Sequence, residues 1–241
     1  MAGIHPSAKL DRVRSRYWQD DDDGAAVTVA RAADLAFGLS GRSLPADYAA
    51  QLARAVIEAL PWLPDVRGAG LRLAFGAAEG NGWQRDETDG ALIYLPRRAR
   101  LVLRLPPERL DAARALAGRT LAVAGDPLRV GESRVAALAA ADTLYARDVV
   151  DDTDDECLFL EWIARAIGAL GATGRKIMCG RSRRIAAPDG RVRTRSVMVA
   201  DLAPRDSIAL LAQGIGPGRL MGCGLFVPYK RANPPAHGAG E

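Results

Sequence analysis

The chain has 241 residues, 49% of them apolar, enough to bury a sizeable core as one large domain or two small ones. No apolar run approaches the ~20 residues that a membrane-spanning helix needs. Residues 1–10 also lack a hydrophobic signal region and a small-residue cleavage site, so a cytoplasmic protein without a membrane partner is expected. The formal net charge of +4 is modest, but its distribution is uneven: from Arg175 to Arg231, twelve Lys or Arg stand against three Asp. The strongly acidic run Asp151-Asp152-Thr153-Asp154-Asp155-Glu156 lies just before this stretch. Such asymmetry points to a polyanionic partner at one end of the molecule. The three cysteines, Cys157, Cys179 and Cys223, are odd in number and widely spaced. That pattern argues against zinc or a disulfide framework and predicts buried free thiols.

Residues 1–24 carry basic residues, then Tyr17-Trp18, then Asp20 to Asp23, without an apolar period. They read as a mobile N-terminal arm whose aspartates are solvated rather than metal-binding. The alternation of Val27, Val29, Leu35, Phe37 and Leu39 predicts a strand over Ala25 to Leu39, and Gly41 to Pro45 turns the chain. Leu52, Val56 and Leu60, four apart, predict an amphipathic helix from Ala46 that Pro61 stops. Leu71 to Phe75 is a second strand, Glu79 to Trp83 a turn, and Ala91 to Leu95 a short strand or extension. Arg98 to Leu105 alternates, with Arg100, Val102 and Arg104 on one face and Leu101, Leu103 and Leu105 on the other. Pro107 suits a helix start for the stretch to Ala117, and Arg119 to Val130 closes the half with one or two strands. The order is βαββαβ.

The second half repeats that order. Arg134 to Val150 is extended. Asp154 and Asp155 open a helix over Glu156 to Leu170, where acids favour the positive end of the helix dipole. Lys176 to Ile185 and Arg191 to Leu202 form a hairpin about the turn sequence Pro188-Asp189-Gly190. Asp206 to Gln213 is a short helix, and Leu225 to Val227 is the last strand. Two such units predict an α+β protein of two tandem ferredoxin-like folds. The expected organisation is an arm at 1–24, domains at 25–131 and 132–231, and a flexible tail at 232–241.

Two stretches carry the candidate chemistry. The loop Gly214-Ile215-Gly216-Pro217-Gly218-Arg219-Leu220-Met221-Gly222-Cys223-Gly224 follows a helix and opens a strand, which sets it apart from the dinucleotide-binding fingerprint. Glycines at 214, 216, 222 and 224 permit a concavity of outward N–H groups suited to phosphates, with Arg219 and Lys230 adding charge. The plainer reading is a glycine-rich turn before a final strand. In the hairpin, Arg181, Arg183 and Arg184 leave the first strand, which Lys176 begins. Along the second strand Arg191, Arg193 and Arg195 alternate on one face, opposite Val192, Thr194 and Ser196. Arginine forks bind phosphates in bidentate fashion, so this basic ribbon is a second candidate RNA-binding element; a solvated hairpin is the plainer alternative.

The glycine-rich loop through Lys230 resembles the C-terminal loop of the RAMP superfamily, the RNA-binding proteins of CRISPR systems. With Phe37-Gly-Leu-Ser-Gly-Arg42-Ser-Leu44-Pro45-Ala-Asp47-Tyr48, the Arg97 to Pro106 strand and Thr194-Arg195-Ser196-Val-Met, it follows the order of the CRISPR precursor-RNA endoribonucleases (Cas-six), myxobacterial-type subgroup. The resemblance covers roughly residues 25 to 231 and implies the same RRM-like double fold. It also implies metal-independent cutting of a CRISPR repeat stem-loop, with no cofactor. The ribose 2′-OH attacks the adjacent phosphate, leaving a 2′,3′-cyclic phosphate and a 5′-OH. Such chemistry needs a base, an acid and a cation on the phosphate. Where the subgroup shows an Asp-His pair after the Leu-Pro turn, this chain reads Asp47-Tyr48. Tyr48 therefore falls where the family's acid–base histidine lies. With Arg42 lowering a reference pKa of ~10 it could act as a base, and as a neutral hydroxyl it could orient the 2′-OH or donate to the leaving oxygen. The plainer reading is a helix-start tyrosine packing on the sheet. The only histidines, His5 and His237, fall in the arm and the tail. Because a central histidine is missing, a weak or inactive RAMP subunit that binds RNA and scaffolds a CRISPR effector complex is the alternative.

Overall fold

The computed structural model describes residues 32–75, 91–172 and 176–229. The arm at 1–24, the start of the first expected strand, the turn at 79–83, Lys230 and the tail at 232–241 lie outside the described residues. The first sheet has the order β3-β5-β1-β7-β6, formed by Gly70–Ala74, Arg100–Leu105, Ala33–Ser40, Asp126–Ala137 and Thr120–Val123 respectively. The second has the order β11-β8-β10-β9, formed by Phe226–Pro228, Leu144–Val150, Gly190–Ala200 and Lys176–Ala187. Every pairing in both sheets is antiparallel. Leaving aside β6, each sheet has the strand order that the βαββαβ fold requires, with the first and third strands of the unit in the centre. Two short strands, β2 (Ser43–Pro45) and β4 (Leu92–Tyr94), pair with each other apart from the main sheets. The expected turn at 41–45 therefore ends in a strand.

The helices follow their apolar spacing. Helix α1 (Ala49–Ala59) buries Leu52, Ala53, Ala55 and Val56. It packs with Leu35, Phe37, Leu101 and Leu103 into the first core. The stretch after Pro107 is helical but broken, with 3-10 turns on either side of α2 (Leu110–Ala113). Helix α3 (Glu156–Ala169) buries Phe159, Ile163 and Ile167 at four-residue intervals. Its N-cap is Asp155, whose side chain accepts from the N–H groups of Cys157 (2.7 Å) and Leu158 (3.1 Å). Helix α4 (Pro204–Gln213) starts with Pro204 and ends at Gly214.

One expectation is corrected. The extended stretch at 134–150 is not one strand. β7 runs to Ala137 and stays paired with β1 in the first sheet, past the expected boundary at 131, and β8 begins only at Leu144. β5 alternates as expected: Arg100 is exposed, whereas Val102 and Arg104 on the same face are covered, each 2% exposed. Arg104 donates to Asp34 at 2.7 and 3.0 Å, and to the carbonyls of Leu211 in α4 (2.7 Å) and Phe226 in β11 (2.8 Å). This face of the first sheet is where the C-terminal half docks. Burial alone would raise the Asp34 carboxyl, but the hydrogen bonds and charge of Arg104, with Arg72 behind them, outweigh it and hold Asp34 below the usual range.

Candidate functional site

Tyr48 is the N-cap residue of α1, with no side-chain bond capping the helix, and its half-buried ring packs on the first core. Asp47, beside it, reaches the second sheet. Both its carboxylate oxygens lie 2.7–2.8 Å from the Ala186 N–H of β9, and Oδ2 also accepts from the Arg191 guanidinium of β10 at 3.3 Å. The Tyr48 turn and the tip of the basic hairpin are thereby one surface, although some 139 residues separate Asp47 from Ala186. The cation joined to the Tyr48 turn is thus Arg191, through Asp47. Arg42 is exposed at the start of β2, its carbonyl accepting from the Leu95 N–H at 3.2 Å.

The hairpin forms as expected, but most of its charges face inward. Arg191, Arg193 and Arg195 do share a face, opposite Ala186, Arg184 and Ser182. Along β10 that face continues as Val197 and Val199, both fully buried. The arginines are consequently drawn beneath the start of α3. Arg195 is 8% exposed; it donates to Asp151 at 2.8 Å and to Glu156 at 3.3 Å, with its guanidinium over the Phe159 ring. The Asp151 hydrogen bond is the main reason its guanidinium is held in the charged form even more firmly than usual. Arg193 pairs with Asp151 and Asp154 and donates to the Asp151 carbonyl at 3.1 Å. Arg183 makes a two-pronged pair with Asp148, which also accepts from the Thr194 hydroxyl at 2.8 Å. The row expected to face RNA is thus largely engaged within the chain: the acidic run does more than cap a helix, since Asp151, Asp154 and Glu156 pair with Arg193 and Arg195. Arg184 is the exception, exposed and without an ion pair among the described residues. Arg191 keeps about half of its side chain in solvent. Lys176 sits at the far end of β9 from the Tyr48 turn, paired with Asp201 at 3.0 Å. The side chain of Arg181 lies outside the described residues.

The glycine loop is also corrected. Several of its N–H groups turn inward: Ile215 donates to the Gly224 carbonyl (3.1 Å), Cys223 to that of Gly218 (3.0 Å) and Gly224 to that of Asp148 (2.6 Å). Arg219 is 1% exposed and donates to the carbonyls of Gly68, Ala69 and Ala212 rather than facing a polyanion. Leu220, Met221 and Cys223 insert into the first core. Gly214 and Gly224 both hold positive φ, and a Cβ on either would collide with the opposing backbone of the loop. The loop is therefore a peg joining the two halves, the plainer of its two readings. Of the cysteines, Cys223 is buried, with desolvation pushing its thiol well up, whereas Cys157 is exposed, against expectation. No three His, Cys, Asp or Glu side chains among the described residues are placed to hold a metal ion, and no described helix is long and apolar enough to cross a membrane.

Sequence reasoning missed Asp47, Asp148 and Asp151 as organising groups. Only the chain position of Asp47 beside Tyr48 hinted at a role.

Two ferredoxin-like sheets joined through a glycine-rich C-terminal peg define a protein of the RAMP class. The product of a Cas6-related gene from Pyrococcus furiosus shares the fold with a TM-score of 0.58 at 11% identity, over 81% of this chain and 98% of that one. A CRISPR-associated protein Cas6 does so at 0.55 and 12%, over 83% and 100%. In sequence, residues 33–231 match the Cas6 CRISPR family model. The CRISPR-associated endonuclease Cas6 of Myxococcus xanthus (strain DK1622) is 30% identical over 200 residues, 83% of this chain and 82% of the relative. The chain belongs to the Cas6 family.

Proposed function

We propose that the chain is an endoribonuclease that binds CRISPR repeat RNA and cuts the precursor transcript into guide RNAs. Membership of the Cas6 family and the related Myxococcus endonuclease support the processing activity. The finer chemistry proposed is metal-independent transfer. The ribose 2′-oxygen bonds to the neighbouring phosphorus and the P–O5′ bond breaks, giving a 2′,3′-cyclic phosphate and a 5′-OH. The 2′-OH proton leaves to a base, the departing O5′ takes one from an acid, and a cation offsets the charge growing on the phosphate.

The observation that carries this reading is the Asp47 bridge. It holds the Tyr48 turn against the hairpin tip, so that a phenol and the half-exposed guanidinium of Arg191 belong to one surface. Tyr48 orients the 2′-OH or donates to the leaving oxygen, Arg191 and Arg42 meet the phosphate, and Arg184 extends the basic track. Product retention and hand-over to effector-complex subunits belong to the same proposal. Tyr48→Phe keeps the ring and removes the hydroxyl. Single-turnover cleavage of the cognate repeat is expected to fall by roughly 10²–10⁴-fold with RNA affinity unchanged, and Tyr48→His to restore or raise it near neutral pH. If the Phe variant cuts as fast as wild type, Tyr48 is not the acid–base group. The neutralised hairpin arginines favour one other reading, a non-catalytic RNA-binding subunit, which holds if no preparation cuts.

A further inference from the structure

Ahead of the Tyr48 turn, β2 and β4 form a two-stranded ribbon of their own, with Ser43 opposite Tyr94, Leu44 opposite Ile93 and Pro45 opposite Leu92. Successive residues of a strand point to opposite faces, and directly opposed residues share a face. Leu44 is fully buried in the first core, so Leu44 and Ile93 mark the inner side and Leu92 and Tyr94 stand on the outer one. Tyr94 is 72% exposed and Leu92 55%, the two most exposed large apolar side chains among the described residues. The Tyr94 ring packs on no other ring, and its hydroxyl has no hydrogen bond, among the described residues. Arg42, just before β2, and Arg97 and Arg98, just after β4, are exposed as well. None of these three guanidinium groups is paired with a carboxylate among the described residues.

Size and charge narrow what this face fits. Two side chains expose at most a few hundred Å², enough for one flat ring but well short of the ~800 Å² per partner of a standard protein interface. The unpaired guanidinium groups beside them favour a polyanion. Single-stranded RNA combines both features, because every base offers a π-face to an aromatic ring and every link carries a phosphate for an arginine fork. We propose that Tyr94 is a stacking platform on which one unpaired base of the RNA lies, widened by Leu92, with Arg97 and Arg98 on the flanking phosphates. A duplex does not fit, since its base faces are hidden against one another. The platform touches no base edge, so it tolerates any sequence. From Pro45, opposite Leu92, the chain runs through Ala46 and Asp47 to Tyr48, and the Ala46 N–H is tied to the Ala91 carbonyl at 2.7 Å. The stacked nucleotide is therefore held beside the Tyr48 turn, where it fixes the path of the single strand that enters or leaves it.

The inference rests on the chain being an RNA-binding protein, but its test reads binding and not cleavage. A fluorescein-labelled oligouridine nine nucleotides long, and a blunt RNA duplex of the same length, are titrated with the full chain and followed by anisotropy. Removing one aromatic partner from a stacked base costs about 5- to 150-fold in affinity. Tyr94→Ala is therefore expected to weaken oligouridine binding at least fivefold while leaving the duplex unmoved. Tyr94→Phe, which keeps the ring, is expected to bind like wild type. Arg97→Gln/Arg98→Gln is expected to lower the slope of log affinity against log salt by about 1.4, at ~0.7 per phosphate contact. Thermal unfolding checks that each variant is folded, which the exposure of all three side chains favours. The contact is then located by replacing the central uridine with 5-iodouridine and crosslinking with light. The label is expected on tryptic peptide 86–97, whose one aromatic residue is Tyr94. Wild type that fails to bind oligouridine, a Tyr94→Ala variant that binds it as tightly as wild type or loses duplex binding equally, a Tyr94→Phe variant as weak as Tyr94→Ala, or a label elsewhere overturns the proposal. A ring-dependent effect in a protein that never cuts its repeat sustains the platform while removing the nuclease reading; cutting without any such effect does the reverse.

Discussion

Arg104→Met is the most demanding perturbation of the architecture. The guanidinium is buried, its partner Asp34 has only 12% of its side chain exposed, and four short hydrogen bonds converge on it. Removing Arg104 leaves the buried Asp34 carboxylate with only the longer Arg72 contact at 3.3 Å, and breaking a buried pair in this way costs about 3–5 kcal/mol. At about 2–4 °C per kcal/mol for a chain of this size, the thermal midpoint is expected to fall by about 6–20 °C at pH 7. Asp34→Leu/Arg104→Met removes the stranded carboxylate too. It is expected to recover part of that loss but not all, because the carbonyls of Leu211 and Phe226 still lose their donor at about 1–3 kcal/mol each. The pH dependence follows from the depressed Asp34 carboxyl. Its stabilisation is fully present above the ordinary aspartate value of ~3.9 and is lost as pH falls through the lower folded value. Wild type should therefore lose more stability than Arg104→Met on acidification below pH 4. Thermal unfolding by circular dichroism measures all of this. A single variant within about 2 °C of wild type at pH 7, or a double variant less stable than the single one, would refute the clamp between the halves.

Two further substitutions separate structural from RNA-facing groups. Gly224→Ala drives a methyl group into the Ile215 backbone at φ +65°, so its thermal midpoint should drop clearly; Gly222→Ala, whose Cβ would sit 3.4 Å from the Leu71 carbonyl, should drop less. Equal, negligible shifts would mean that the loop is not a rigid peg. Arg184→Glu should weaken RNA binding and flatten its salt dependence without moving the midpoint, since fewer counterions are released, whereas Arg195→Ala should chiefly destabilise the fold by leaving Asp151 buried without its closest partner. The reverse pattern would place the RNA on the α3 side of the hairpin.

The βαββαβ order, the long hairpin and the Asp155 cap were legible because each depends on local period or local capping. The end of β7 was not. Leu138-Ala-Ala-Ala-Asp-Thr143 contains neither Gly nor Pro, so nothing local marks where the chain leaves one sheet for the other. Arg195 was misplaced although a signal existed: its face continues as Val197 and Val199, which points it toward a core. For Arg219 no local signal exists, since its carbonyl partners at Gly68 and Ala69 come from some 150 residues away. At the candidate site, the sequence supplied Tyr48 and the hairpin separately. The Asp47 contact that unites them is a tertiary fact without any periodic trace.

The central claim is tested most directly by incubating the wild-type chain with its own repeat RNA in excess EDTA and analysing the ends of any products. The proposed chemistry predicts one cut, with a 2′,3′-cyclic phosphate on the upstream fragment and a 5′-OH on the downstream one. Cutting that appears only when a divalent metal is restored, or a 5′-phosphate on the downstream fragment, would contradict it.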